Sequence, residues 1–306
     1  MNINPGHLAI WGQFIGDSIG HYLLRTQAEQ GSQGSHLWTS WKTTQTLPFK
    51  RATFSVYAHQ ARLFLQTYSA RLYRDPEQFK KEVVDRLRKE PSNTLLSRAI
   101  HNGSPFDFFD LAPSVRLGPL ATQFSKQNDM LSWLLPIIRI GTDNQIAITG
   151  ALIYSSICWH LAQKKNLDEL FSSVKEWEHY AEFESSTWWA YQQAFEIYSQ
   201  YDEQEMLVFV SSFLDSSILS NPSAQSSLSI LPILLKQARD ETEFDLASIL
   251  QWGGDLELLA GMKGCISALK HGIPAWLLEH YQTQKALSPF TIQSSPDSDD
   301  QQLRLF

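Results

Sequence analysis

The sequence predicts an all-α fold. Apolar residues recur three and four positions apart along most of the chain, a spacing that places them on one face of a helix. Strand signals are scarce: the one Asn-Gly pair, Asn102-Gly103, lacks the alternating flanks of a β-hairpin and indicates a loop. At an average of about a dozen residues per helix, we expect roughly eleven to thirteen helices.

Five segments carry the helical spacing most clearly. In chain order they occupy residues 58–73, 147–163, 189–201, 205–219 and 246–272. Residues 27–48 are rich in Gln, Ser and Thr and are predicted to form a long polar loop that carries Trp38 and Trp41. We expect these tryptophans to pack in the core or on the loop, since a base-stacking platform does not suit so acidic a protein.

The charge of the chain excludes one class of function. The 306 residues carry a formal net charge of -7, and the isoelectric point is about 5.7. A protein that binds the phosphate backbone of nucleic acids needs clustered Lys and Arg side chains. We therefore expect no direct binding to DNA or RNA.

Cysteine usage and hydropathy predict the cellular compartment. Cys158 and Cys265 lie in apolar helical segments and form no CxxC pair, which is typical of buried thiols in a reducing cytosol. The amino-terminal stretch lacks the basic region and long apolar run of a signal peptide. No uncharged apolar run reaches the length of about 18 residues that predicts a transmembrane helix. The sequence thus predicts a cytoplasmic protein without membrane contact.

One domain and a tail account for the whole chain. With 43% apolar and 12% aromatic residues, residues 1–287 can form one compact core. Residues 288–306 consist mainly of Ser, Pro, Asp and Gln before a few final apolar side chains. This composition predicts a disordered tail.

Two predicted helices carry stripes of small residues at intervals of four. The stripes consist of Gly12, Gly16 and Gly20 near one end of the chain and Ala260, Gly264 and Ala268 near the other. Glycine inside a helix costs about 1 kcal/mol relative to alanine, so three on one face need a reason. Either another helix or a ligand approaches the backbone there, and close helix packing is the simpler interpretation.

Three segments together resemble the signature of a known family. They read AIWGQFIGDSIG (9–20), HNGSPFDFFDLAPSVRLGPLA (101–121) and QWGGDLELLAGMKGCISALKHGIPAWLLEHY (251–281). In this order they are similar to the first helix, the Gly-Asn-Gly loop and the closing Gly-Gly-Asp signature of the ADP-ribosylglycohydrolase family, the relatives of dinitrogenase-reductase-activating glycohydrolase. The resemblance implies a compact single-domain helical fold. It also implies a hydrolase that releases ADP-ribose from protein side chains with two magnesium ions.

The resemblance also implies where a ligand pocket would lie. The matching positions are Asp17, Asn102, Gly103, Ser104, Gly253, Gly254, Asp255 and Glu257. Two interpretations stay open. The residues could form a vestigial pocket that binds a nucleotide-like molecule without cleaving it, or they could persist only because the fold needs their turns.

The closing signature retains only part of the metal-binding set that the resemblance implies. Asp255 matches its first aspartate, and Glu257 stands in the place of the second. Leu258 replaces a ligand threonine and offers no side-chain oxygen. Asp255 and Glu257 are therefore weak candidates for metal ligands, and two acidic residues do not make a two-metal site.

The metal-binding motif that the resemblance implies for an early helix is missing from this sequence. Tyr57, Ala58 and His59 stand near the places of the motif's Asp, Asp and Thr. Between Glu29 and Asp75 the sequence contains no Asp or Glu, so this segment has no carboxylate for a hard cation. We predict a pseudoenzyme with no catalytic residue and no cofactor; magnesium would bind only if a residual site were active.

The last residues of the chain resemble a second recognition element. Gln302, Leu303, Leu305 and Phe306 stand in the sequence QLRLF, which is similar to the peptide by which bacterial proteins dock on the β sliding clamp of DNA polymerase. An amide side chain pairs at a pocket rim while Leu and Phe fill apolar pockets. The alternative is that these apolar residues fold back onto the body or have no role.

Two classes of function follow. In the first, a catalytically degenerate ADP-ribosylglycohydrolase-like protein docks on the β sliding clamp through its C-terminal peptide and regulates replication or repair. In the second, the protein is an ADP-ribosyl hydrolase with an altered, reduced metal site. A non-catalytic protein that binds a nucleotide or ADP-ribose is a further alternative.

Overall fold

The computed structural model describes nine parts of the chain. They are residues 5–30, 34–71, 75–89, 112–140, 142–170, 185–202, 205, 224–252 and 255–282. Within these residues there are twelve helices and no strand, so the predicted all-α class is confirmed.

The helices are numbered here in chain order. They are α1 Pro5–Gln30, α2 Gly34–Thr44, α3 Val56–Arg71, α4 Pro76–Lys89, α5 Ala112–Ala121, α6 Gln127–Ile138, α7 Gln145–Ala162, α8 Ser185–Ser199, α9 Ala224–Asp240, α10 Ala247–Trp252, α11 Leu256–His271 and α12 Ala275–Gln282. Their buried apolar side chains form one continuous core cluster that runs from Ala9 to Tyr281.

The most extensive helix contact joins α1 to α11, the helices that carry the two small-residue stripes. A Cβ atom added at Gly16 would lie 1.8 Å from the carbonyl oxygen of Ala260, and one added at Gly12 would lie 2.2 Å from that of Gly264. No side chain fits at such distances, so glycine is required for the two backbones to touch. The stripe on α1 is therefore covered by another helix, as the simpler interpretation expected.

A second close contact ties three helices together behind this pair. A Cβ atom at Gly118 on α5 would lie 2.5 Å from the ring of Tyr154 on α7. The Tyr154 hydroxyl in turn donates a 3.2 Å hydrogen bond to the carbonyl oxygen of Met262 on α11. The missing side chain thus makes room for a buried tyrosine that links α5, α7 and α11.

Helix α7 is the one described helix that is long and apolar enough to cross a membrane. Its residues are 83% buried inside the protein, which is typical of a core helix. Asn144 caps its first turn by accepting hydrogen bonds from the backbone of Ile146 at 3.0 Å and Ala147 at 3.2 Å. This burial is compatible with a soluble protein, and the cytoplasmic location stays a prediction.

The predicted polar loop over residues 27–48 is wrong. Helix α1 continues to Gln30, and α2 covers Gly34–Thr44. Trp38 and Trp41 lie one turn apart on its inner face and are buried, and the Trp38 indole donates a 2.8 Å hydrogen bond to Asp245. The hydroxyls that suggested a loop bond back to the carbonyl one turn earlier within the helix, as Thr39 does to Ser35.

Two other predicted elements lie outside the described residues. The helix expected over residues 205–219 falls there except for Glu205, and so does the tail over residues 288–306. The division into a domain of residues 1–287 and a tail therefore stays a prediction.

Candidate functional site

Three of the predicted pocket residues meet where α1 passes the amino-terminal ends of α3 and α11. Asp17 lies on α1, Asp255 immediately precedes α11 and Glu257 lies in its first turn. The charges of Asp255 and Glu257 both act on Asp17, which places the three carboxyl groups within electrostatic range of one another. The fold therefore brings Asp17 close to Asp255 and Glu257, which lie 238 and 240 positions later in the sequence, and these three residues form an acidic cluster.

Asp17 is completely buried and anchors the start of α3. Its carboxyl group accepts a 2.9 Å hydrogen bond from the backbone N–H of Ser55 and a second one from the Ser55 hydroxyl. The Ser55 oxygen also accepts from the backbone N–H of Tyr57 at 3.0 Å. Asp17 thus fixes the residue that caps α3, which is a structural role.

Burial raises the pKa of Asp17 to about 8, because a carboxylate loses its hydration inside the protein. The two hydrogen bonds from Ser55 act in the opposite direction, whereas the negative charges of Glu257 and Asp255 raise the pKa further. Asp17 is therefore protonated and neutral at pH 7.

Asp255 has two hydrogen-bonding roles at the start of α11. Its Oδ1 accepts a 3.1 Å hydrogen bond from the backbone N–H of Leu258, which caps the helix. Its Oδ2 accepts a 2.6 Å hydrogen bond from the hydroxyl of Tyr57. Tyr57 is one of the residues near the positions where the family resemblance implies metal ligands, and the fold brings its hydroxyl to Asp255.

Glu257 is paired with a histidine from the opposite helix. Its Oε1 lies 2.5 Å from Nδ1 of His21 on α1, and the two side chains are 16% and 13% exposed. The remaining candidate from the early motif, His59, points to the exposed side of α3, and Ala58 is buried.

The side chains of this cluster do not fit a two-magnesium centre. Within the described ranges, no group of three or more His, Cys, Asp or Glu side chains is arranged to hold a metal ion. Asp255 and Glu257 direct oxygen atoms at a phenol and an imidazole, and Asp17 is turned toward Ser55. A hard divalent cation needs several oxygen ligands around one point, and the early segment supplies no carboxylate.

The other predicted pocket and partner-binding residues lie outside the described parts of the chain. They are Asn102, Gly103, Ser104, Gly253, Gly254, Gln302, Leu303, Leu305 and Phe306. Two surface cavities of 510 and 570 Å³ share Gln45 and Trp276 in their linings, and neither is lined by a predicted pocket residue.

Sequence reasoning missed three partners of the acidic cluster. His21 lies one turn after Asp17 on α1, and Ser55 directly precedes α3. Tyr57 was expected only to be unable to bind a metal ion, and its hydrogen bond to Asp255 was not predicted. A signal existed for Ser55, because a serine directly before a helical segment is a typical cap. No local pattern indicates His21, whose partner lies 236 residues away.

Comparison of the sequence with protein-family models found no matching family, and comparison with curated proteins found no match either.

Proposed function

We propose that the protein is an interaction protein: a catalytically degenerate ADP-ribosylglycohydrolase-like body that docks on the β sliding clamp through its QLRLF peptide and so regulates replication or repair. The observation that carries this proposal is the peptide sequence itself, Gln302 to Phe306, behind a leader rich in Ser, Pro and Asp. The hydrogen bonds of the acidic cluster support the part of the proposal in which the body is not catalytic.

The peptide has the chemistry that a pair of adjoining apolar pockets requires. Leu303, Leu305 and Phe306 offer aliphatic and aromatic surface, and the Gln302 amide offers one donor and one acceptor face at the pocket rim. Arg304 occupies the middle position of the peptide, where the clamp-binding peptides that it resembles accept different side chains. A short anchor that must be ordered on binding gives weak affinity, on the order of micromolar.

The body supports a role through protein contact. The whole chain has a net charge of -7, which disfavours direct binding to DNA, so a clamp would supply the link to the replication machinery. Within the site, Tyr57 and His21 hydrogen-bond the two carboxylates that a metal-dependent hydrolase of this kind would direct at a cation. Hydrogen-bond donors of the protein at these positions support a body in which internal hydrogen bonds take the place of bound metal ions.

Calorimetric titration of the full chain with a purified bacterial β sliding clamp tests the proposal. We expect saturable binding that is lost in a Leu303→Ala, Phe306→Ala double variant and in a chain truncated after Gln301. Arg304→Ala is the matched control and should bind within about threefold of the wild type, since its position is tolerant. Absence of binding at tens of micromolar clamp, or equal binding by the double variant, contradicts the proposal.

A hydrolase with a reduced metal site is the second candidate, and one observation favours it. The charges of Asp255 and Glu257 both raise the pKa of the nearby Asp17 carboxyl group, so acidic groups are concentrated at this site. Such a site gains from a bound cation. Magnesium-dependent release of ADP-ribose from ADP-ribosylated arginine would support this candidate, provided that Asp255→Asn abolishes the release. Calorimetry with ADP-ribose alone distinguishes a protein that binds this molecule without any hydrolysis from one that hydrolyses an ADP-ribosyl bond.

A further inference from the structure

The two cysteines of the chain lie in contact inside the core. Cys158 on α7 and Cys265 on α11 place their Sγ atoms 3.8 Å apart, although 107 residues separate them in sequence. Both side chains are completely buried, and both are free thiols. The sequence contains no other cysteine, so the fold pairs the whole thiol content of the protein.

A buried tyrosine lies beside the pair. Tyr154 lies one turn before Cys158, and its hydroxyl donates to the carbonyl oxygen of Met262, one turn before Cys265. Burial raises the pKa of the Cys158 thiol well above its ordinary value. In the reduced protein the two sulfur atoms face each other across the α7–α11 contact.

We propose that Cys158 and Cys265 are a redox couple that closes to a reversible disulfide and joins α7 to α11. A disulfide bond of about 2.05 Å requires the sulfur atoms to approach by roughly 1.8 Å, a small movement for two side chains that already touch. The proposal is independent of the proposed clamp binding.

A hydroperoxide is a sufficient oxidant. One thiol, after losing its proton, attacks a peroxide oxygen, the O–O bond breaks, and a sulfenic acid and hydroxide form. The second sulfur then attacks the sulfenic sulfur and releases a second hydroxide. The two protons from the thiols convert the two hydroxides to water. The two sulfur atoms lose two electrons together, hydrogen peroxide gains them, and the products are one disulfide and two molecules of water.

The disulfide would act on a helix that is important for the whole fold. Helix α11 carries Asp255 and Glu257 at its start and the close contact with α1 along its length. A cross-link between positions 107 residues apart restricts the unfolded chain much more than the native one. Oxidation should therefore stabilise the fold and leave the native arrangement in place.

Graded hydrogen peroxide treatment of the full chain tests the proposal, with intact mass, peptide mapping and thermal melting as readouts. We expect the wild type to lose two hydrogens, to give one cross-linked peptide pair joining Cys158 and Cys265, and to melt on the order of 5 °C higher. Dithiothreitol should reverse all three changes. Cys158→Ser and Cys265→Ser are the controls and should gain oxygen atoms at the remaining thiol without forming an intramolecular cross-link.

Because burial slows attack on the folded protein, a second arm refolds the reduced chain in a glutathione redox buffer, where the thiols can exchange as the helices assemble. A cross-linked product that accumulates in either arm supports the proposal. Two reduced thiols after both arms, or independent oxygen addition at each sulfur in the wild type, would overturn it.

Discussion

The hydroxyl of Tyr57 donates a 2.6 Å hydrogen bond to Oδ2 of Asp255, across 198 residues of sequence. This contact joins the start of α3 to the start of α11 at the position where the family resemblance implied a metal ion between two groups of carboxylates. A phenol O–H presents a partial positive charge to the carboxylate, as a cation would, but it belongs to the protein. The hydrogen bond thereby connects the two helix starts through groups of the protein itself.

Loss of this hydroxyl should weaken the junction. We expect Tyr57→Phe to lower the free energy of unfolding by about 1–3 kcal/mol, because the hydrogen bond is made to a charged group. Urea denaturation followed by circular dichroism measures it. Tyr22→Phe is the matched control: the Tyr22 ring packs on Trp41 and Phe49, and we expect a change below about 0.5 kcal/mol. Equal effects of the two substitutions would contradict a specific role for Tyr57.

The contact between α1 and α11 gives a sharper prediction. Gly16→Ala would force a Cβ to within 1.8 Å of the Ala260 oxygen, so the helices must separate, and we expect a loss of about 3 kcal/mol or more. Gly261→Ala on the same interface is the control. Its Cβ would meet Asp17 Cβ and the Gln13 carbonyl oxygen at 3.6 Å, an ordinary contact.

Alanine is the better helix former, so Gly261→Ala should be neutral or stabilising by up to about 1 kcal/mol. Melting temperatures of the two variants, measured under the same conditions, test both expected changes in stability. A Gly16→Ala protein as stable as the wild type would mean that the two backbones do not touch.

A buried ion pair on α11 should be sensitive to removal of one partner. Lys263 is completely buried, and its ammonium group is paired with the carboxylate of Glu241. We expect Glu241→Ala to cost about 3–5 kcal/mol, since it leaves a buried charge without its counter-ion. Adding Lys263→Met should recover most of the loss.

Chemical denaturation of the single and double variants measures both effects. Asp85→Ala serves as the control, because the Asp85–Arg88 pair at 3.5 Å is about half exposed and should contribute below about 0.5 kcal/mol. A double variant no more stable than Glu241→Ala alone would show that the charge of Lys263 is not the cause.

The neutral state of Asp17 predicts a pH dependence. Its pKa is about 8 in the folded protein against an ordinary value of 3.8, so between these values the folded state binds more protons than the unfolded state. Asp17 therefore contributes stability that is lost as the pH rises from about 4 to 8, by at most about 1.4 kcal/mol per pH unit.

Asp17→Asn, which resembles the neutral acid in shape, should remove this dependence. Its stability relative to the wild type should increase as the pH rises over that interval, and the subtraction cancels the shared contribution of the histidines. Denaturation curves at four or five pH values provide the measurement. A constant difference between the two proteins would mean that Asp17 titrates normally.

The helical class and the role of the glycine stripes could be predicted from the sequence because both depend on local spacing. Gly12 and Gly16 lie on one face of one helix, and a face without side chains needs a close neighbour. Helix α2 was missed because its Ser and Thr residues have weak helix propensity, while the burial of Trp38 against Asp245 and Phe244 is a tertiary effect.

The site was predictable only in part. Asp17, Asp255 and Glu257 could be named from the family resemblance, and the absence of acidic residues between Glu29 and Asp75 could be counted. Which donors face the carboxylates could not be known, since His21 and Tyr57 find their partners through contacts about 200 residues or more apart. Such pairings depend on how helices are placed, and spacing along one helix carries no information on that placement.

The contact between Gly16 and Ala260 also sets an order of events during synthesis. Helix α1 leaves the ribosome before its partner surface on α11, which follows about 240 residues later, a delay on the order of ten seconds to a minute at about 5–20 residues per second. Throughout that interval the glycine stripe of α1 lacks the helix that covers it in the native fold, and we expect the surface around it to be available to holdase chaperones. Nascent chains that terminate before residue 256 never acquire the surface of α11 that covers the stripe, so we expect them to bind such chaperones more strongly than the full chain does.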